Sequence, residues 1–349
     1  MTSGPSFQAI RRGLALLLAC ALVGACAGTP SASATSAIVA VSPPSSGSLA
    51  ALASAESPAP SASPTPGQSQ ASVGAGRIAF GRWDATVDNF VIFSVATNGS
   101  DLRQVLAGGH QIPRWSPNGD RLAVTGGNGL RAFETVVDAG GSHPQVLQLK
   151  DASLSLGCAA WSPDAARLAC EGWDDANPER NGIYTVRSSD RGDLTRVTTS
   201  PDGGHDIPGG YSPDGGSIAF IRNRKVDVEE GEVWTVDVDG KEPHRIGAGP
   251  FGLGVSPSPD GTSILVDAKG ILRIIDVASG TEMPIPIAGG AAFGGRWSPD
   301  GMWIVFSLVP AGGHDAGIAI ARRDGTSVMA VTTAEAGHRE EFPDWSASP

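Results

Sequence analysis

Positive charge is scarce in this chain: Lys and Arg number 25 against 36 Asp and Glu, a formal net charge of −11 at pH 7. A phosphate-binding protein needs a basic face, so nucleic acid is excluded as a partner. The same acidity is repelled by anionic lipid, so any membrane attachment must be covalent. Aromatic residues make up only 6% of the chain, while Gly (47) and Pro (26) are plentiful. That balance disfavours helical bundles and suits short strands joined by tight turns. Active-site signatures are missing as well. No G-x-S-x-G elbow, H-E-x-x-H pair, Walker loop or dinucleotide fingerprint occurs, so no catalytic residue, metal or cofactor is assigned. "DVDG" at Asp237 lacks the other ligands of a calcium loop and reads as a β-turn.

Cysteine is also sparse, with 4 in 349 residues. Arg11 and Arg12 precede the apolar run "GLALLLACALVGAC", which has the length of a signal-peptide core and is too short to span a bilayer. Its end, Val23-Gly24-Ala25-Cys26, resembles a bacterial lipobox. The expectation is a signal peptide over 1–25 and a lipid on Cys26; an ordinary secretory signal is the alternative, and Leu17-Leu18-Ala19-Cys20 is a weaker competing box. The protein is then exported and lipid-anchored, on the outer face of the bacterial cytoplasmic membrane or in the periplasm or cell envelope. Residues 26–75 follow as a Ser/Ala/Pro-rich stretch whose single charge is Glu56. It has too little apolar bulk for a core and is expected to be a disordered tether, with a random-coil reach of about 40 Å. Cys20 leaves with the signal. Cys158 and Cys170 flank the Ser162-Pro163-Asp164 turn symmetrically, so a hairpin sets them opposite each other. An exported compartment permits a disulfide there; buried free thiols are the alternative.

Residues 76–349 carry a repeat. "WSPNGDRLAV" at Trp115 returns as "WSPDAARLAC" at Trp161, "YSPDGGSIAF" at Tyr211, "PSPDGTSILV" at Pro257, "WSPDGMWIVF" at Trp297 and the stub "WSASP" at Trp345, in steps of 46, 50, 46, 40 and 48 residues. Each step holds four short apolar runs separated by Gly, Asp and Asn turns, the pattern of a four-stranded antiparallel sheet. One such sheet cannot hide both faces, so six are expected to pack around an axis as a β-propeller. "RIAFGR" from Arg77 has the form of a second strand without a first, and "PDWSASP" that of a first strand without a second. Joining them predicts an all-β, six-bladed propeller with four-stranded blades. The C-terminal strand completes the N-terminal blade and closes the ring, which removes exposed strand edges.

The W-S-P-D-G-x-x-I-A-F phrase resembles the repeat of TolB-like, WD-like propellers over Gly76 to the C-terminus. Ala165 departs from it at the turn glycine, and Pro257 at the tryptophan. Trp115, Trp161, Trp297 and Trp345 recur at one structural position, so packing between blades is their expected role.

Three histidines stand before first strands: His110 in "GGHQIPRWS", His205 in "GGHDIPGGYS" and His338 in "AGHREEFPDWS". In a propeller these loops gather at one mouth of the central channel. The candidate ligand-binding set there is His110, Gln111, Arg114, His205, Asp206, Arg296, His338 and Glu340, with Glu341 beside it. Three readings of the mouth stay open. The TolB-like resemblance implies a rim that binds an envelope protein or peptide. The repeat is also similar to that of propeller-type oligogalacturonate lyases, which implies a metal-assisted carbohydrate site built on histidine and glutamine. In the third reading the histidines only cap loop ends. Arg114 and Arg296 are the cations near the axis, and either could pair with Asp344. A propeller screening substrates for a peptidase would need an α/β-hydrolase domain, which is not expected. The favoured expectation is a monomeric, non-enzymatic binding scaffold at the cell envelope.

Overall fold

A computed structural model of the chain describes residues 73–347, apart from 86–87, 128–131, 148, 152, 191, 225–230 and 334–335. The signal segment 1–25, the lipidation candidate Cys26 and the tether up to residue 72 lie outside the described residues. The body begins at Val73, three residues inside the segment read as tether. Val73 packs against the core cluster around Trp345, and Thr97 Oγ1 donates to the Gly74 carbonyl at 3.0 Å.

The Ser-Pro-Asp-Gly turn is closed by side chains as well as main chain. Ser162 Oγ donates to Asp164 Oδ1 at 2.6 Å and accepts from Arg167 N at 2.9 Å. Ser298 Oγ does the same with Asp300 Oδ1 at 2.5 Å and Trp303 N at 2.9 Å. The last turn position has φ between 67° and 74° at Gly119, Gly215, Gly261 and Gly301. Ala165 adopts the same left-handed conformation at φ 58°, which costs a residue bearing a Cβ about 1–2 kcal/mol.

These turns organise the described residues into six four-stranded antiparallel sheets. The innermost strands are His338–Ser346 in blade one, His110–Trp115 in blade two, Ser155–Trp161 in blade three, His205–Tyr211 in blade four, Val255–Pro257 in blade five and Gly290–Trp297 in blade six. Each touches the innermost strand of both neighbouring blades, so the ring is closed. The closure joins the two ends of the body. Ile78 lies opposite Trp345, Arg77 opposite Ser346, and Arg82 opposite Glu340.

There is one apolar cluster per interface between blades, and hence six. The seam cluster gathers Ile78, Phe80, Val95 and Trp345 of blade one against Trp303, Val305, Ile318 and Ile320 of blade six. Fully burying a side chain such as Phe80, Phe220 or Phe306 stabilises by about 1.5–3 kcal/mol. Two of the repeated tryptophans fasten their blade to the previous one through the indole N–H. Trp161 Nε1 donates to the Arg114 carbonyl and Trp297 Nε1 to the Ser256 carbonyl, both at 3.0 Å. In blade three Cys158 faces Cys170 across the hairpin and their sulfurs are bonded.

Candidate functional site: the axial channel

The six innermost strands all run the same way along the axis, so the channel has a beginning, where the histidines lie, and an end, where the Trp-Ser-Pro turns lie. At the beginning, two carboxylates are held between blades by matching sets of partners. Asp206 is fully buried; Arg222 Nε and Nη2 donate to its two oxygens at 2.8 and 2.7 Å, and Thr198 Oγ1, from blade three, donates at 2.7 Å. The same Thr198 oxygen accepts from Ile183 N at 2.9 Å. Three blades away, Glu340 takes Arg82 Nε at 2.9 Å and Nη2 at 2.5 Å, and it accepts from Thr332, whose hydroxyl in turn accepts from Ile318 N at 2.8 Å. Both arginines also stack on aromatics: Arg222 over Phe220 and Trp234 at 5.2 and 5.0 Å, Arg82 over Phe80 and Phe93 at 5.8 and 4.3 Å. Each clasp ties one blade to the next.

The histidines do not share a centre. His205 Nδ1 faces Glu171 of blade three. Burial works against the protonated ring, but the charge and hydrogen bond of Glu171 outweigh it and raise the histidine above its ordinary value. His110 Nδ1 sits 3.2 Å from the Ala107 carbonyl of its own loop, and Gln111 lies half-buried opposite Thr125. His338 pairs in register with Asp84 on the seam. Among the described residues, no group of three or more His, Cys, Asp or Glu could hold a metal ion. Two further acids are perturbed by burial. Glu341 is pushed up to about 7, with Arg339 opposing. Glu134 is pushed up to about 8; its Oε2 accepts from Cys158 N at 3.0 Å and Thr125 Oγ1 at 3.1 Å, while its Oε1 is buried with no hydrogen-bond partner.

Toward the other end, Arg114 and Arg296 lie on the axis itself. Arg296, from blade six, donates to the carbonyls of Gly209 in blade four at 2.5 Å, Val255 in blade five at 3.5 Å and Ala159 in blade three at 3.3 Å. Arg114 reaches the same Ala159 carbonyl at 3.1 Å and that of Phe342 in blade one at 3.3 Å. Both are 9% exposed. Burial pushes Arg114 down to about 9, with Arg296 adding to the effect and Asp344 opposing it; Arg296 is also lowered by burial, again with Asp344 opposing. Their hydrogen bonds run to main-chain oxygens. Asp344 contributes its charge nearby while its Oδ2 accepts from Trp115 N at 2.7 Å. Gly209 lets blades four and five approach closely, since a Cβ there would lie 2.1 Å from Val255 Cγ1.

Above Arg296 the channel widens into a funnel of about 350 Å³. Arg296 and Asp344 are in its lining, with Trp161, Tyr211, Trp297 and Trp345 and the prolines of the repeat turns forming the walls. Of the residues singled out in the sequence, Arg114 and Arg296 therefore come together at the axis, whereas Asp206 and Glu340 are spent in clasps. The clasp partners Arg82, Arg222, Thr198 and Thr332 escaped the sequence reading. A signal for them existed: "VTTSPDGGHDIPGGYS" from Val197 and "VTTAEAGHREEFPDWS" from Val331 match in length, with Thr and the acid at equal offsets.

Neither a protein-family model nor a curated protein matches the chain. Solved structures do match. The fold is that of TolB-like six-bladed β-propellers. TolB from Acinetobacter baumannii aligns at 20% identity and TM-score 0.63, over 78% of this chain and 66% of that one, just under two thirds of its length. A protein assigned as TolB from Agrobacterium tumefaciens aligns at 19% identity and TM-score 0.55, over 74% and 90% of the two chains. A chain of a nidogen/laminin complex aligns at 11% identity and TM-score 0.58, over 79% and 100%. At such identities the likeness establishes the fold.

Proposed function

We propose that this protein is a non-enzymatic, protein- or peptide-binding propeller of the cell envelope, exported and held to the membrane by lipid on Cys26. The observation that carries the reading is the fixed axial channel. Its axial arginines and clasped carboxylates are already hydrogen-bonded into position between blades, so the funnel and its rim form a surface that loses little freedom when a partner lands. The TolB-like fold supports the same reading. A tether of the expected reach lets the ring search close to the membrane while standing off from it.

Two forms, wild type and Cys26→Ser, test this in intact envelopes. The wild type is expected in the membrane fraction and Cys26→Ser in the soluble fraction. Their melting temperatures should be equal, because the tether sequence around residue 26 has too little apolar bulk to join a core. Crosslinking should recover one stoichiometric protein partner that depends on the folded ring. Turnover of a uronic-acid oligosaccharide by the purified chain, or a stoichiometric tightly bound metal, would overturn the binding reading. Equal membrane association of both forms would overturn the anchor.

A further inference from the structure

The end of the channel away from the histidines carries a charge imbalance. Arg114 and Arg296 are both nine-tenths buried, and their hydrogen bonds go to neutral carbonyl oxygens. Asp344 is the carboxylate whose charge acts on both. Glu134 also acts on Arg114, but Arg296 has Asp344 alone and shares it, so positive charge is in excess around Arg296 in a poorly hydrated place, where a buried charge is costly unless paired. One of the two, Arg296, lines the funnel.

The walls restrict what kind of anion fits. They mix proline rings from successive turns and four aromatic side chains with polar groups. Three of the lining serines, Ser212, Ser258 and Ser298, spend their hydroxyls on Asp214, Asp260 and Asp300 within their own turns. The rim restricts the anion further. The residue after each of four lining prolines is an exposed aspartate: Asp164, Asp214, Asp260 and Asp300. Hydrogen bonds from Ser162, Ser212 and Ser258 hold the first three below the usual carboxylate range, so they remain ionised. A ring of negative charge around a deep positive one repels a polyanion. It suits a chain that is basic along its length and carries a single carboxylate at its tip.

We propose that the funnel seats the free C-terminal carboxylate of a basic polypeptide tail, with Arg296 as the anchor and the turn aspartates holding the basic residues upstream of it. This rests on the protein-binding reading above and specifies which part of a partner the propeller takes. The volume is within the range of small-ligand sites, enough for the end of a chain and too little for a folded surface.

The test is an array of random hexapeptides with free C-termini beside the same peptides as C-terminal amides. It is probed with the full-length protein and with Arg296→Gln, Arg296→Lys and Asp344→Asn. Free acids should bind at least tenfold more tightly than their amides, with Lys and Arg enriched upstream. Arg296→Gln should erase the preference and Arg296→Lys should keep part of it. Asp344→Asn, which removes the competing carboxylate but keeps an acceptor for Trp115 N, should strengthen it. Should Arg296→Gln fail to fold, the opposite shifts of Arg296→Lys and Asp344→Asn decide the matter. Equal binding of acids and amides, a preference that survives Arg296→Gln, or displacement of the peptides by oligogalacturonate would overturn the proposal. If the array is silent while crosslinking still recovers a partner, this seat is wrong and the protein-binding reading stands; silence in both defeats both.

Discussion

Asp206 and Glu340 at one end of the channel, and Arg114 and Arg296 at the other, are buried charges treated in opposite ways. Each carboxylate takes two N–H groups of one arginine, on both oxygens in Asp206 and on Oε1 alone in Glu340, and a threonine hydroxyl, so its charge is paired and both its oxygens accept hydrogen bonds. Each axial arginine meets carbonyl oxygens, which satisfy its N–H groups but leave its charge. Hydrogen-bonded and charge-neutral burial makes a fastener; hydrogen-bonded burial with charge left over is what the proposed carboxylate seat requires. The clasps sit in blades one and four, opposite each other in the ring, and one of them secures the seam where the two ends of the body meet.

The largest effect should come from breaking the fastened end. Asp206→Ala or Glu340→Ala leaves a buried arginine without its partner and is expected to cost about 3–5 kcal/mol in urea unfolding. Arg296→Gln at the other end takes the donor from a few carbonyls and removes a charge that was never neutralised, so about 1–3 kcal/mol is expected. Equal losses at the two ends would erase the distinction.

Acidity should act next, through groups near the beginning of the channel and between blades two and three. Glu134 and Glu341 have folded-state values raised to about 8 and about 7 from 4.5, so the folded state binds more protons than the unfolded one across that window. His205 is also raised, and the stability it contributes is lost as pH climbs past its folded value. All three effects have one sign: stability falls as pH rises from about 5 to 8. Melting should be several degrees higher at pH 5.5 than at pH 8, with a flatter profile in Glu134→Gln. A profile rising toward pH 8 would contradict the burial of these carboxyls. The smallest effect concerns the turns at the funnel rim. Ala165→Gly should stabilise by about 1 kcal/mol by relieving its positive φ, and Gly261→Ala should lose a similar amount; calorimetry on the pair reads both.

Much of the architecture was legible because it repeats. The Trp-Ser-Pro-Asp phrase fixed the number of blades, the Arg77 and Trp345 fragments announced the seam, and the position of Cys158 and Cys170 about one turn set them face to face. The site was less legible. Three histidines at equivalent places in the repeat suggested convergence, but His205 meets Glu171 of the neighbouring blade and His110 the carbonyl of its own loop. Either Arg114 or Arg296 could pair with Asp344 by sequence; their hydrogen bonds go to carbonyls at the inner edges of other blades, while Asp344 acts on both through its charge.

Local sequence determined the turns, the strand alternation and the closure, since these depend on residues a few positions apart and on a phrase copied along the chain. Tertiary structure alone decided which charges were neutralised. Arg82 and Glu340 lie 258 residues apart, and Arg296 reaches Ala159 across 137. Only a closed ring brings such groups together, and only there does burial make the difference between a paired charge and an unpaired one large enough to matter.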